Sequence, residues 1–277
     1  MPKKSQAPSQ WLAAQACALP PHPEGRGFSH FLVNPGNARL AMVTGGSRGL
    51  GRALVTQLQA GGWRVVELSR SAPTVDSVRV DLARPCNVVQ ALDDVLAGVD
   101  PLAVRELLVL HNAGTVLPLG PAARQPVDAL IDALNVNLVS GVAFLAAAMA
   151  HFQDSPGRKV VAHISSGAAV RAHAGLSLYS AAKAGMDQFL RVVAAEQTRQ
   201  PHPFRALSLD PGALDTDMQA VLRSASPDDY PGAAAFAQRQ RDGTLGRVED
   251  VAAALLRLLA DDTLASGERH HVHGVRA

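Results

Sequence analysis

Tyr179 and Lys183 lie four residues apart in Tyr179-Ser180-Ala181-Ala182-Lys183, and Ser166 lies thirteen residues upstream of the tyrosine. A helix beginning near Tyr179 would set both side chains on one face, one turn apart. A phenol titrates near pH ~10, and an ammonium beside it favours the phenolate, so Lys183 is expected to draw the tyrosine pKa toward the working range. With the Ser166 hydroxyl as a neutral donor, the three could hold a carbonyl oxygen and pass a proton to it. The same spacing also arises by chance on surface helices, so the pattern gains meaning only if a hydride carrier binds nearby.

A cradle for such a carrier is legible upstream. Arg39-Leu40-Ala41-Met42-Val43 is an apolar run of strand length. It leads into Thr44-Gly45-Gly46-Ser47-Arg48-Gly49-Leu50-Gly51 and then a helical stretch through Gln59. Glycines permit positive φ and a close approach of backbone to a pyrophosphate, while the following helix offers free N–H groups and the positive end of its dipole. Glycines also mark ordinary turns, and it is the order strand, loop, helix that points to a dinucleotide. Gly45, Ser47, Arg48, Gly49, Leu50 and Gly51 are the candidate contacts.

With both motifs in place, the chain resembles the short-chain dehydrogenase/reductase family from about Arg39 to about His273. Thr44, Gly45, Gly49 and Gly51 fit the family's TGxxxGxG loop, and Asp81-Leu82, after the strand Ser77 to Val80, stands where the family holds the adenine amino group. His111-Asn112-Ala113-Gly114, after the apolar run Leu107 to Leu110, resembles the NNAG turn with His for the first Asn. Asn137 matches the fourth member of a catalytic tetrad with Ser166, Tyr179 and Lys183, and holds a water linking the lysine to solvent in that pattern. Pro211-Gly212, Leu214 and Thr216 match the loop at the nicotinamide carboxamide. The resemblance implies a carbonyl reductase in which Tyr179 is the acid, Ser166 holds the substrate oxygen and Lys183 anchors the nicotinamide ribose.

Around these motifs apolar strand-length runs alternate with helical stretches, including Pro126 to His151, Tyr179 to Gln197, Val248 to Ala260 and a helical or mobile segment Asp217 to Arg241. The pattern predicts an α/β, Rossmann-like, doubly wound parallel sheet of about seven strands flanked by helices, the last strand near Arg269 to His273. Residues 39–277 read as one domain and residues 1–38, with six prolines, as a disordered arm. A signal peptide ending near Ala16-Cys17-Ala18 is disfavoured because Gln15 breaks its short apolar core.

The 277 residues are 47% hydrophobic and 18% charged, enough for a sizeable core, and the net charge of +2 gives no reason to expect nucleic acid or acidic lipid as partner. Two cysteines, Cys17 and Cys86, are too few for a disulfide framework, so a cytoplasmic setting is expected. The longest apolar stretch, Leu138 to Ala150, is interrupted by Ser140 and Gly141 and falls short of the ~20 residues a bilayer requires. It reads as a buried helix beneath the sheet.

The choice of nicotinamide follows from charge. Ser69-Arg70 ends the second strand where an NAD enzyme places an acid for the ribose 2′-hydroxyl, and with Arg48 this corner suits a 2′-phosphate. NADP(H) is therefore the expected cofactor, with both arginines as mere surface charges the alternative. The loop from Pro211 to Gln219 resembles that of sepiapterin reductases and of the benzil reductases that form (S)-benzoin. His271 falls near the place where sepiapterin reductases use an acid, so a small hydrophobic ketone or vicinal diketone is the expected substrate. Val116, Val170, Leu214 and the segment Met218 to Phe236 are candidate pocket walls.

Sepiapterin reduction, 3-oxoacyl-carrier-protein reduction and a silent NADP(H)-binding regulator remain open. No metal site is expected from His270, His271 and His273, and His111 is expected to satisfy backbone at its turn. The resemblance also implies a homodimer or homotetramer built on the helices of Asn137 and Tyr179.

Overall fold

The computed structural model describes residues 38–74 and 76–272. The arm read at residues 1–38 lies outside them apart from Ala38, as do residues 273–277, including His273. Aliphatic runs bounded by turn residues form β1 (Arg39–Thr44), β2 (Arg64–Ser69), β3 (Ser77–Arg79), β4 (Glu106–His111), β5 (Arg158–Ile164), β6 (Arg205–Asp210) and β7 (Arg269–His271). The intervening stretches form α1 (Gly49–Ala60), α2 (Pro85–Leu96), α3 (Val127–Leu134), α4 (Ser140–Phe152), α5 (Ser177–Gln197), α6 (Asp217–Arg223), α7 (Ala233–Arg241) and α8 (Val248–Ala260). The segment 217–241 is thus two short helices, and α2 begins at Pro85, where proline's missing N–H costs the first turn nothing.

All seven strands are parallel, in the order β3-β2-β1-β4-β5-β6-β7. Alternation along each strand divides the core. Leu40, Met42, Val109, Val161 and Ala206 face α2, α4 and α5, while Ala41, Val43, Leu108, Ala162 and Leu207 face α1 and α8. Strand order reverses between β1 and β4, so a crevice opens at their carboxyl ends, the place where such sheets bind ligands.

The stretch expected as one helix from Pro126 to His151 is continuous but not uniform. A π-helical turn, Asn135–Val139, joins α3 to α4. Together Val127–Phe152 are 26 residues, long and apolar enough by length and composition to cross a bilayer, which corrects the shorter apolar stretch read from the sequence. Phe144, Leu145, Ala148 and Phe152 are instead fully buried against the sheet and its neighbours, as a core helix requires. At its end Lys159 Nζ donates to the carbonyls of Phe152, Gln153 and Ser155 at 3.0, 2.7 and 2.6 Å, satisfying groups that a helix C-terminus leaves open.

One register row carries polar residues across the sheet: Thr44 of β1 pairs with His111 of β4, His111 with His163 of β5, His163 with Ser208 of β6, and Ser208 with Arg269 of β7. The row lies on the α4/α5 side, where Gly141 admits the His111 ring. A Cβ on Gly141 would fall 2.7 Å from His111 Nε2. Gly141→Ala is therefore expected to cost about 1–3 kcal/mol by overpacking, read as a lower urea midpoint at unchanged slope. In a His111→Ala background the same change should cost clearly less; equal losses in both backgrounds would show that the two residues do not meet.

Candidate active site

The glycine loop is shaped by what surrounds it. Gly45 has φ +71° and a Cβ there would lie 2.8 Å from Ala113 Cα, while a Cβ on Gly51 would lie 2.1 Å from Gly45 O. These contacts pack β1, the loop, α1 and the turn after β4 more closely than side chains allow. Arg48, at the N-cap of α1, supplies no side-chain cap, so the first N–H groups of this twelve-residue helix have no side-chain acceptor at the cap. That cradle fits the pyrophosphate of a nicotinamide dinucleotide.

Several residues expected to contact the cofactor also brace the loop. Asn112 Nδ2 donates to Thr44 O (3.2 Å) and Gly45 O (3.0 Å), and the N–H groups of Asn112 and Ala113 donate to Thr44 Oγ1. Leu50 and Leu82 turn their side chains into the core, and Leu82 O accepts from Ser140 Oγ at 2.6 Å. Asp81 is exposed and accepts from Ala83 N. Ser47 and Thr216 line the rim, where Thr216 Cγ2 would stand 3.6 Å from a Cβ on Gly49. Arg48 is paired with Asp217 at 3.0 Å, an exposed bridge of small worth, whereas Arg70 projects from the end of β2.

Glu67 was not anticipated. It is 2% exposed, accepts from Gly46 N at 2.8 Å and from Ser69 Oγ at 3.1 Å, and so holds the loop from below. The Ser69 hydroxyl, read from the sequence as part of the phosphate corner, is committed to Glu67 instead. An acid inside the apolar run Val65-Val66-Glu67-Leu68 was the signal available.

Tyr179 lies in the first turn of α5 and Lys183 one turn on, with the ammonium 5.5 Å from the phenol ring centroid. Lys183 Nζ donates to Ile164 O at 2.7 Å, at the end of β5, and would lie 3.6 Å from a Cβ on Gly114. Ser166, two residues past β5, is set by an extended backbone and its hydroxyl accepts from Ala168 N at 3.2 Å. Asn137 belongs to the π turn. Its Oδ1 accepts from Thr115 N (2.8 Å), and its Nδ2 donates to Thr115 O (2.9 Å) and Ala133 O (3.0 Å). The extra residue in that turn rotates Asn137 against Gly114, whose Cβ would be 3.0 Å from Oδ1.

Burial decides the titration of the pair. Desolvation pushes the Tyr179 phenol up to about 12; the Ser166 hydroxyl pulls it down and the Asp210 carboxylate pushes it further up. The expected lowering by Lys183 is not seen in this arrangement, because its ammonium points to a backbone carbonyl rather than to the phenol oxygen. The phenol is consequently protonated near neutrality, the state a proton donor needs. Burial also brings Lys183 down to about 8, opposed by the Asp187 carboxylate.

Asp187, one turn beyond Lys183, completes an i, i+4, i+8 series readable in the sequence. Its Oδ2 accepts from Ser165 Oγ at 2.9 Å, and its Oδ1 lies 3.3 Å from His163 Nε2. Burial works to raise Asp187, but its contacts with His163, Ser165 and Ser208 outweigh that and hold it below the usual carboxylate range. Arg269 spans Asp187 and Asp210, and Asp210 Oδ1 accepts from Gly212 N at 3.0 Å, fixing the Pro211-Gly212 turn, in which Gly212 has φ +74°. His111 Nδ1 meets Thr44 Oγ1 at 2.9 Å, so this histidine serves a side chain and not the backbone of its turn. Burial holds His111 well below, and His163 down to about 4 from, the ordinary imidazole value.

An apolar wall adjoins Tyr179. Val116, Leu176, Leu222, Tyr230 and Ala233 are buried together, with Met218 and Phe236 against them. Of the expected walls, Val116 and the segment 218–236 belong here. Leu214 instead packs with α1 and α8, and Val170 is 66% exposed. No group of three or more His, Cys, Asp or Glu among the described residues is arranged to hold a metal ion.

The sequence matches the short chain dehydrogenase family over residues 39–227. It is 32% identical over 229 residues to a benzil reductase ((S)-benzoin forming) of Bacillus subtilis, covering 81% of this chain and 94% of that protein. It is 34% identical over 254 residues to a sepiapterin reductase of Mus musculus, covering 82% and 94%. The crystal structure of a short chain dehydrogenase from Burkholderia cenocepacia in complex with NADP is similar with a TM-score of 0.66 at 25% identity, covering 86% of this chain and 98% of that one.

A buried lysine lowered to about 8 is a stability liability below that pH. The unfolded chain binds the proton up to the ordinary lysine value of 10.5 and the folded chain only up to about 8, so stability from this group rises with pH across that window. Lys183→Met should gain on the order of 1–3 kcal/mol at pH 7 relative to the wild type, and the gain should shrink from pH 8 upward. Urea unfolding at several pH values checks this. A constant difference between the two proteins would place the lysine pKa at its ordinary value.

Proposed function

The chain belongs to the short chain dehydrogenase family, and from that premise we propose that it is an NADPH-dependent carbonyl reductase for which Tyr179 is the proton donor. The family consists of oxidoreductases acting on carbonyl and alcohol groups. The observation that carries the finer reading is the meeting of Tyr179, Ser166 and Lys183 with Gly114 and Asn137 at the carboxyl edge of the sheet, beside the glycine cradle. Bound NADPH supplies the hydride. Tyr179 and Ser166 hydrogen-bond the carbonyl oxygen, and Tyr179 passes its proton to that oxygen as negative charge develops there. Lys183 holds the ribose end. Asn137 fixes the turn at Thr115 and positions the water through which a proton returns.

Preference for NADPH over NADH is supported by Arg70 at the open end of β2 and by the inward commitment of Glu67, which leaves no acid of that strand for a 2′-hydroxyl. Arg48 joins Arg70 by exchanging its exposed partner Asp217 for the 2′-phosphate. The apolar wall of Val116, Leu222, Tyr230 and Phe236 supports a small hydrophobic ketone or vicinal diketone, benzil-type, as substrate. At the end of the sheet His271 stands 3.8 Å from Asp210, in place of an acid for a pterin ring. Apolar side chains left outward on the π turn and α5, Val139 and Val192, support assembly as a homodimer or homotetramer on those helices. We read residues 39–277 as one cytoplasmic enzyme domain and residues 1–38 as an appended arm.

NADPH oxidation measured against benzil, sepiapterin, simple diketones and an acetoacetyl thioester tests the reading, with benzil or a diketone expected to give the highest kcat/KM. Failure on every carbonyl despite clear NADPH binding would favour a non-catalytic binding protein. Tyr179→Phe should lower kcat by roughly 10²- to 10⁴-fold with NADPH affinity retained; near-normal turnover would remove Tyr179 from its role. Arg70→Ala should narrow the preference for NADPH over NADH, and equal efficiency with both cofactors in the wild type would overturn the cofactor assignment.

A further inference from the structure

A cavity of about 300 Å³ lies between the loop after β6, β7 and α7, with Arg171, Arg239, His271 and the Pro211-Gly212 turn in its lining and no carboxylate among its walls. The two guanidinium groups are held from behind by different means. Arg171 lies against Gly167, the residue after Ser166, where a Cβ would come within 2.8 Å of Arg171 Nη2. Arg239 stacks over the Phe236 ring at 5.3 Å, and Phe236 leans on buried Tyr230 with ring centroids 5.8 Å apart. Phe236 and Tyr230 belong to the same apolar cluster as Tyr179. The residues that back the two arginines thus adjoin the Ser166 and Tyr179 end of the site, Gly167 by sequence and Phe236 through the apolar cluster.

Several arginines of the fold are matched with acids: Arg48 with Asp217, Arg84 with Asp132, Arg158 and Arg205 with Asp262, Arg223 with Asp215, and Arg269 with Asp210. Among the described residues Arg171 and Arg239, like Arg70 and Arg124, form no ion pair with a carboxylate, and unlike those two they line one cavity together. Two like charges brought to one concavity repel each other, and an oxyanion placed between them relieves that repulsion while taking paired N–H donors from each planar fork. His271, 3.8 Å from Asp210, closes the cavity floor beside the Gly212 turn. The phosphates of the dinucleotide are assigned above to the α1 cradle and to the end of β2, so they do not answer these charges.

We infer that this cavity is an anion subsite of the substrate cleft, and that the preferred substrate is a carbonyl compound with an apolar body and an oxyanion group, carboxylate or phosphate ester, received by Arg171 and Arg239. The inference rests on the carbonyl-reductase reading and narrows its substrate class. The ketone carbon sits at Tyr179 and Ser166, the apolar body lies along Val116, Tyr230 and Phe236, and the charged end enters the arginine cavity. No step of the reaction changes; the subsite acts on binding and orientation.

Two measurements test it. In the first, benzoate, phenyl phosphate and benzamide are titrated calorimetrically into the full chain with saturating NADP+. At least one anion is expected to bind roughly tenfold or more tightly than benzamide, a difference of about 1.4 kcal/mol, and to lose that advantage in Arg171→Gln/Arg239→Gln. Which anion gains more distinguishes carboxylate from phosphate. In the second, kcat/KM for 4-carboxybenzil is divided by that for its methyl ester. The ratio should exceed tenfold in the wild type, fall with added salt, and drop toward one in the double variant, a quotient that does not depend on how much variant is folded. Equal binding of benzoate, phenyl phosphate and benzamide by the wild type, or an anion preference unchanged in the double variant, would overturn the subsite. Turnover of benzil with no anion preference would leave the reductase standing without it. Anion preference in calorimetry with no turnover of any carbonyl would keep the subsite and remove the reductase.

Discussion

The buried ammonium of Lys183, 2% exposed, is the charge around which this site is organised. Burying an ammonium is costly unless donors and counter-charge meet it. Ile164 O accepts one hydrogen bond from it at the end of β5, and Asp187 supplies the counter-charge one turn along α5. Asp187 must itself be held, and it draws on Ser165, on His163, on Ser208 and on Arg269, which belong to β5, the turn beyond it, β6 and β7. A requirement set by one side chain thereby ties the helix bearing Tyr179 and Lys183 to three strands. The same Arg269 binds Asp210, whose other oxygen fixes the turn at Gly212, so the loop bordering the proposed nicotinamide end is coupled to the lysine through two carboxylates.

The glycine loop answers a different constraint, that of distance. Cβ atoms at Gly45 and Gly51 would overlap Ala113 and Gly45 O, so the approach of α1 to β1 and of the turn after β4 to the loop is a backbone-to-backbone fit. Asn112 and Thr44 lock it with four hydrogen bonds from the neighbouring strand end, and Glu67 locks it from β2. Rigid support on both sides explains how one loop can present N–H groups to a pyrophosphate without a ligand side chain of its own. It also gives Asn112, a candidate ligand in the sequence, a second task, since its N–H and Nδ2 groups hold the frame.

Much of this was legible beforehand in particular residues. The i, i+4 spacing of Tyr179 and Lys183 placed both on one helix face, and the glycine spacing after Val43 placed the cradle. The doubly wound sheet followed from alternating apolar runs. Other features were not legible because they depend on partners remote in the chain. Asp187 looks like one more polar helix residue until β5 and β7 are folded against it. Leu214 looks like a pocket wall by its place after Pro211, yet the bridge to Gly246 turns it into the core with α8. The π turn at Asn135–Val139 has no spacing signal of its own, since the apolar period on either side is that of an ordinary helix.

The sequence alone determined the order of strands and helices along the chain and singled out Tyr179, Ser166 and Lys183 as candidates, because these depend on local period and on residue types a few positions apart. Only the tertiary structure decided the electrostatics. The phenol is pushed up to about 12 rather than drawn down, and the lysine is lowered to about 8, since desolvation is a property of everything packed around a group and not of its neighbours in the chain. Tertiary structure likewise brought Arg171 and Arg239, sixty-eight positions apart, to one cavity. Charges so distant in sequence acquire a joint meaning only when strands and helices close the space between them.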